Sequence, residues 1–410
     1  MHEETRPIAV PAAWLLAPAL LLAILVIAQP FAVNVIGVMV LGAAHVLCAL
    51  RYLAGRVSLA AGAQLGRQLA IFVMVMALVR AVTTLDAGLG HHLELLGSMA
   101  VIGFACWLGL HGRLRYLAVG LVAAATALSL IELPWYWHLL AHGHNLVPLI
   151  FLWDWARRRD RSLESNQPQP RSADGWGGAG REQPGSLISA GDAARVFLTW
   201  FVNNLSRLGR TSKLVCLPAR SSAPRRLRAD TAQAHPRTSL GPGLKFALVN
   251  LIWALGIPVL ILAGVADRFI NEVSPDFVTR LADPAYVLAS TAQPHSSPEM
   301  AVRFLVVFTY LQTMHYVVWM VFFQVVGRRE IGDLGQRLPV VQGWRFWALA
   351  LAVSVLVWLV YASNYYLGRQ VYGILGAFNV YLEQPVAVWL LLTMLPSHWT
   401  TDLVGRLGRS

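Results

Sequence analysis

The sequence predicts an all-α, polytopic transmembrane bundle of about ten spans, with the amino and carboxyl termini both cytoplasmic. Three observations carry that expectation. Of 410 residues, 56% are hydrophobic and only 13% charged, where soluble domains carry about 25% charged residues, and mean hydropathy is +0.55. Apolar runs recur along the chain near the length of about 20 residues that a helix needs to cross a bilayer. Basic residues fall in alternate connections, as the positive-inside rule requires.

The spans read in order as 11–28, 31–53, 69–82, 93–110, 116–131 and 135–155, then 244–266, 301–326, 344–361 and 371–395. Residues 1–6 include two glutamates, unlike the basic start of a signal peptide, so the first run is expected to be a retained helix in the inner membrane. With the amino terminus inside, the cytoplasmic connections hold Arg51, Arg56 and Arg67, then Arg113 and Arg115, then Arg328, Arg329 and Arg337, with Arg406 and Arg409 in the tail. The connection 267–299 is expected outside; it has four prolines and more acidic than basic residues, and is expected to cap an outward-facing opening.

The net charge of +12 is concentrated in one segment. Between 156 and 243 stand fifteen Lys or Arg against six Asp or Glu. Its Ser-, Pro-, Gly- and Gln-rich ends predict a mostly disordered cytoplasmic loop. Within it, residues 193–210 place Phe197, Trp200, Phe201, Leu205 and Leu208 on one helical face. This predicts an amphipathic helix, either lying on the inner leaflet or packed on the bundle. Membrane lipids are the expected partner of this charge. Nucleic acid is excluded, because no aromatic-rich module accompanies it. Cys48, Cys106 and Cys216 are far apart, so neither a disulfide nor a zinc knuckle is expected.

The sixth span carries the most unusual residues: His138, His142, His144 and Asn145, followed by Pro148. Such side chains are costly in hydrocarbon and turn toward a bundle interior or cavity. At about 100° per residue, Trp135, His138, His142 and Asn145 share one stripe, and His144 points to the opposite side. Pro148 has no N–H for the carbonyl of His144, and Gly143 weakens the same turn, so a kink is predicted there.

Other spans carry partners for them. His45 shares a face with Gly42, Ala49 and Tyr52, which predicts a close helix contact with His45 at the seam. In the eighth span Gln312, His315 and Trp319 share a stripe, with Tyr316 beside it. In the tenth, Tyr372, Asn379 and Glu383 share a face. An isolated carboxylate at that depth costs several kcal/mol, so Glu383 is expected to be neutral, paired or metal-bound. Near the outer boundary, Arg80, His91, His92, Glu94, Glu132 and His138 are either interfacial or the walls of a polar vestibule. Asp154 with Arg157, Arg158 and Arg159 reads as a topology anchor.

Four chemistries fit this set. The leading one is a metal site for iron, zinc or copper, with His138, His142, His144 and His315 as ligands, Glu383 and Tyr316 as catalytic groups, and His45 in a cofactor-binding role. It would act on a lipophilic or small-molecule substrate. The others are a proton-coupled transport path through Glu383, a haem b held between His45 and His142 or His315, and interhelical hydrogen-bond glue in a scaffold or assembly protein. The His-rich boxes of membrane desaturases, the H-E-x-x-H motif, a Walker loop, a G-x-S-x-G elbow and a dinucleotide-binding G-x-G-x-x-G are all absent.

Overall fold

A computed structural model describes residues 13–110, 112–165 and 242–394, all helix and connecting turn with no strand among them. Helix α1 is Leu16–Ala28, α2 Pro30–Val82, α3 Ala87–Gly109, α4 Gly112–Ile131, α5 Leu133–His144 and α6 Pro148–Ser165. Helix α7 (Pro242–Leu251) passes through a π-helical turn, Ile252–Gly256, into α8 (Ile257–Leu262). Two short helices, α9 (Asp276–Leu281) and α10 (Pro284–Ala289), precede α11 (Pro298–Val317). A second π turn, Val318–Phe322, leads to α12 (Phe323–Val326). Then come α13 (Arg328–Arg337), α14 (Gly343–Ser363) and α15 (Tyr365–Met394). The expected amphipathic helix at 193–210 lies outside the described residues.

Among the described residues, seven helices are long and apolar enough to cross a membrane: Pro30–Val57, Ala87–Trp107, Gly112–Ile131, Lys245–Leu262, Pro298–Val326, Gly343–Ser363 and Tyr365–Leu392. These are compatible with an integral multi-pass membrane protein. Leu16–Ala28 and Ile71–Val82 are shorter apolar helices. Helix α4 buries none of its residues, and Leu117, Leu121, Leu128 and Ile131 all stand exposed. Water penalises such a surface and hydrocarbon does not.

The sixth apolar run is two helices, not one kinked helix. Helix α5 ends at His144, a tight turn carries Asn145–Val147, and Pro148 opens α6 at the position where its missing N–H is harmless. The backbone N–H of Val147 bonds to the carbonyl that Pro148 cannot reach, that of His144, at 3.0 Å. Helix α6 also runs on through Ser165, so residues 156–165, assigned to the loop by composition, are helical.

Helix α2 is helical over 53 residues. If straight it would reach about 80 Å, far beyond a hydrocarbon core of about 30 Å. Instead its two arms lie beside the same part of α15. A Cβ on Gly42 would stand 2.7 Å from the Tyr372 ring, and the Arg80 guanidinium lies 3.5 Å from the Cβ position of Gly373. Gly42 and Arg80 of α2, 38 apart in the chain, thus both reach the same turn of α15, so α2 is not a straight rod. Helix α14 packs on the outside of α2 and α15, and α3 on their other flank.

The central core joins α1, α2, α6, α7, α8, α11 and α15 around Trp253, Trp319, Phe151, Phe322 and Phe323. Interhelical hydrogen bonds add to it: the Asn34 amide donates to the Thr309 hydroxyl at 3.1 Å, and Tyr310 donates to the Trp253 carbonyl at 3.0 Å. At the end of the bundle formed by the α2–α3 and α14–α15 turns, α9 and α10 bury Val278, Ala282 and Val287 against the start of α2. Arg303 is tied there to Asp267 at 2.5 Å and to the Leu262 carbonyl at 3.0 Å.

At the opposite end a buried ionic network pins three helices. Arg158 on α6 donates to Asp154 at 3.0 Å, to Glu330 on α13 at 2.6 Å and to the Tyr52 hydroxyl on α2 at 3.2 Å. Arg56 pairs with Asp154 from the other side at 3.3 Å. Asp154 and Arg158, expected to be a topology anchor, thus make tertiary contacts. Gly327 and Gly55 allow the close approach: a Cβ on the first would strike the Tyr52 ring, and on the second the backbone of Glu330.

Candidate intramembrane metal centre

Three side chains of metal-ligating type meet in the bundle. Nδ1 of His144, at the end of α5, lies 3.5 Å from Oε2 of Glu383, and Nε2 of His315 on α11 lies 3.8 Å from Oε1 of the same carboxylate. One donor atom from each falls within 4.8 Å of the others. Glu383 and His315 are essentially without solvent contact. Both Glu383 oxygens, both His315 ring nitrogens and His144 Nδ1 are buried without a hydrogen bond. Buried polar groups are nearly always satisfied, so five such atoms at one point call for a missing partner.

The local sequence explains how each reaches the point. The break before Pro148 frees His144 at a helix end. His315 stands three residues before the π turn, a geometry common beside functional sites. Glu383 lies two residues before Pro385, whose missing N–H leaves the Tyr381 carbonyl without its helical donor.

His45 closes one side. Its Nδ1 donates to the Gly42 carbonyl at 2.5 Å, and its Nε2 receives the Asn379 amide at 3.4 Å. The ring lies 5.3 Å from that of His315 and stacks on Tyr316 at 4.2 Å. The Tyr316 and Tyr372 hydroxyls are 3.2 Å apart. The sequence face of Tyr372, Asn379 and Glu383 is therefore turned wholly toward these groups, and the seam around His45 and Gly42 is as close as its small residue implies.

His138 and His142 do not join the cluster. Their rings stack on each other at 4.3 Å and against Phe304, and His142 Nε2 donates to the Thr291 carbonyl at 3.0 Å. The periodicity that put His144 on the opposite face from them was right, but the cluster lies on His144's face. His142 instead ties α5 to the segment after α10. At the vestibule, Arg80 bonds to buried Glu94 at 2.9 Å with Thr83 beside it, and His91 lies against Trp137. His92 is turned away, onto the Gly88 carbonyl.

A cavity of about 350 Å³ adjoins the cluster and is walled by His45, His144 and Asn379 at one end. Its far end is formed by Arg80, Arg369 and Tyr286. Arg369 was not singled out from the sequence, yet Arg369, Tyr372, Gly376, Asn379 and Glu383 recur at intervals of three and four, the signature of one helical face.

No protein-family model matches this chain, and neither a curated protein nor a solved structure matches it.

Proposed function

We propose that this is a multi-pass membrane protein of ten spans that holds a metal ion on His144, His315 and Glu383 and uses it in oxidoreductase-type chemistry on a lipophilic substrate. One observation carries the reading: a carboxylate and two imidazoles, drawn from three separate helices, converge within the bundle with their donor atoms unsatisfied. Ligands about 2.1 Å from one ion stand no more than about 4.2 Å apart, so the observed spread needs only a small closure. Two imidazoles and a carboxylate form the donor set of non-haem iron and of catalytic zinc, with open positions for substrate. Such an ion supplies Lewis acidity, and iron or copper also supplies redox chemistry.

The protein's own residues complete the setting. His45 stands beside the ligands with a ring nitrogen toward Asn379 and the cavity. The Tyr372 hydroxyl at the cavity wall, paired with that of Tyr316 behind it, gives a proton donor and acceptor. The surrounding aromatic core excludes water.

Proton-coupled transport is the second reading. It is favoured by the break between α5 and α6, since discontinuous helices mark the substrate sites of many carriers. Haem b has less support, because Nε2 of His315 already faces the Glu383 carboxylate at 3.8 Å.

Elemental analysis of protein purified without chelators tests the proposal. About one iron, zinc or copper per chain is expected, falling to near zero in His144→Ala, His315→Ala and Glu383→Gln. A wild type without stoichiometric metal overturns it.

A further inference from the structure

The cavity beside the cluster has two chemically different ends. Its remaining wall combines apolar or small residues, Leu140, Phe308, Gly376 and Val380 among them, with the polar Gln312 and Tyr372. At the far end Arg369 is half-buried, and no carboxylate lies in ion-pair range of it among the described residues. The charged or titratable groups that act on it are phenols: Tyr365, Tyr361, Tyr286 and Tyr372. Its neighbour on the wall, Arg80, is already matched by Glu94. The far end therefore carries one uncompensated positive charge in surroundings of low polarity, which is costly unless an anion meets it.

Position along the helix gives the scale. Arg369 stands four residues into α15, about 6 Å from its start, and Asn379 lies ten residues further, about 15 Å deeper. A guanidinium near the helix end sits at headgroup depth, and the wall from it to the imidazoles carries Leu140, Phe308 and Val380 beside the polar Gln312 and Tyr372.

We propose that the cavity binds a single-chain amphiphile with an anionic headgroup. Its carboxylate or phosphate sits on Arg369, and its apolar chain runs inward along α15, past His45, toward the level of Asn379 about 15 Å deeper. The chain would be the substrate of the metal centre, and that link rests on the function proposed above. Arg369 is thus a substrate-binding and positioning residue, which fixes the part of the chain that reaches the imidazoles.

Spin-label binding tests this. The purified protein is placed in phosphatidylcholine nanodiscs and titrated with doxyl-labelled stearic acid, with its methyl ester, and with doxyl-labelled lysophosphatidic acid. The immobilised fraction is read by electron paramagnetic resonance, and metal content is measured on the same samples. Wild type is expected to hold at least one of the two anions about tenfold more tightly than the ester, the value of one charge-assisted contact. Whichever anion is preferred identifies the headgroup as carboxylate or phosphate. Arg369→Gln is expected to abolish the preference, and Arg369→Lys, which keeps the cation, to retain most of it, with metal content unchanged in both. Equal binding of both anions and the ester by wild type overturns the proposal, as does a preference that survives Arg369→Gln. An anion preference in protein devoid of metal supports the amphiphile site while removing the metal centre, so the two ideas fail separately.

Discussion

Oε2 of Glu383 lies 3.5 Å from Nδ1 of His144, and neither atom makes a hydrogen bond. One side chain comes from the last residue of a helix that ends inside the bundle. The other comes from the turn before a proline. This pairing sets a sign that can be measured. In metal-free protein a buried carboxylate without a good partner is a burden, and Glu383→Gln is expected to raise stability by about 1–3 kcal/mol. With metal added, the same substitution is expected to lower the melting temperature relative to wild type, because the ion stabilises only a protein that binds it. Melting curves with and without metal check both signs.

His142→Ala gives a contrasting case. Its imidazole holds the Thr291 carbonyl and faces Phe304 and Phe308, away from the ligand cluster. The variant is expected to keep its full metal content and to lose about 1–2 kcal/mol of stability. Loss of metal in His142→Ala, with His144→Ala unaffected, would mean that the ligand set has been chosen wrongly.

Gly42 tests the seam. Adding a Cβ there places an atom 2.7 Å from the Tyr372 ring. Gly42→Val is expected to separate α2 from α15 at a cost of about 1–3 kcal/mol. It should also weaken metal retention by displacing His45 and Asn379 together. Equilibrium dialysis against a graded chelator series reads that weakening.

At the other end of the bundle, Arg158→Met leaves Glu330 buried without its cation, while Asp154 retains Arg56. Breaking such a pair costs about 3–5 kcal/mol. Arg158→Met combined with Glu330→Leu is expected to be more stable than Arg158→Met alone. A double-mutant cycle in denaturant measures the difference.

Topology is open to a direct check. In a cysteine-free background, Glu272→Cys is expected to react with an impermeant maleimide in intact cells, and Arg329→Cys only after permeabilisation. The reverse pattern would invert the orientation derived from charge.

The all-helical structure, with helices long and apolar enough to cross a membrane, was legible in the sequence, because hydropathy is a local property. So was the inward face of α15, since Tyr372, Asn379 and Glu383 repeat with the helical period. What periodicity cannot supply is which neighbour each face meets. His138 and His142 share a stripe with Trp135 and Asn145, and the expected ligand set drew on that stripe as well as on His144 and His315. The cluster instead uses His144 on the opposite side, because α11 and α15 approach there. The break at Asn145–Val147 was visible as a proline and a glycine, but those residues announce only a disturbance, not a stop. Arg158 read as a topology signal because its partners, Glu330 and Tyr52, lie far away in the chain. Arg369 carries a legible signal in its spacing from Tyr372 and Glu383, although the apolar run of the tenth span begins only after it.

The π turn at Val318–Phe322 joins two halves of one helix. Below it, Phe323 is locked against Tyr52 at 4.4 Å; above it, His315 faces Glu383. The turn winds more widely than an α-helix and so accommodates one residue more than an α-helical turn would. Removing that residue would restore i→i−4 bonding while leaving the two flanking halves close to their present phase. A single-codon deletion here is therefore expected to keep His315 facing Glu383 and Phe323 on Tyr52, with the change confined to the turn itself.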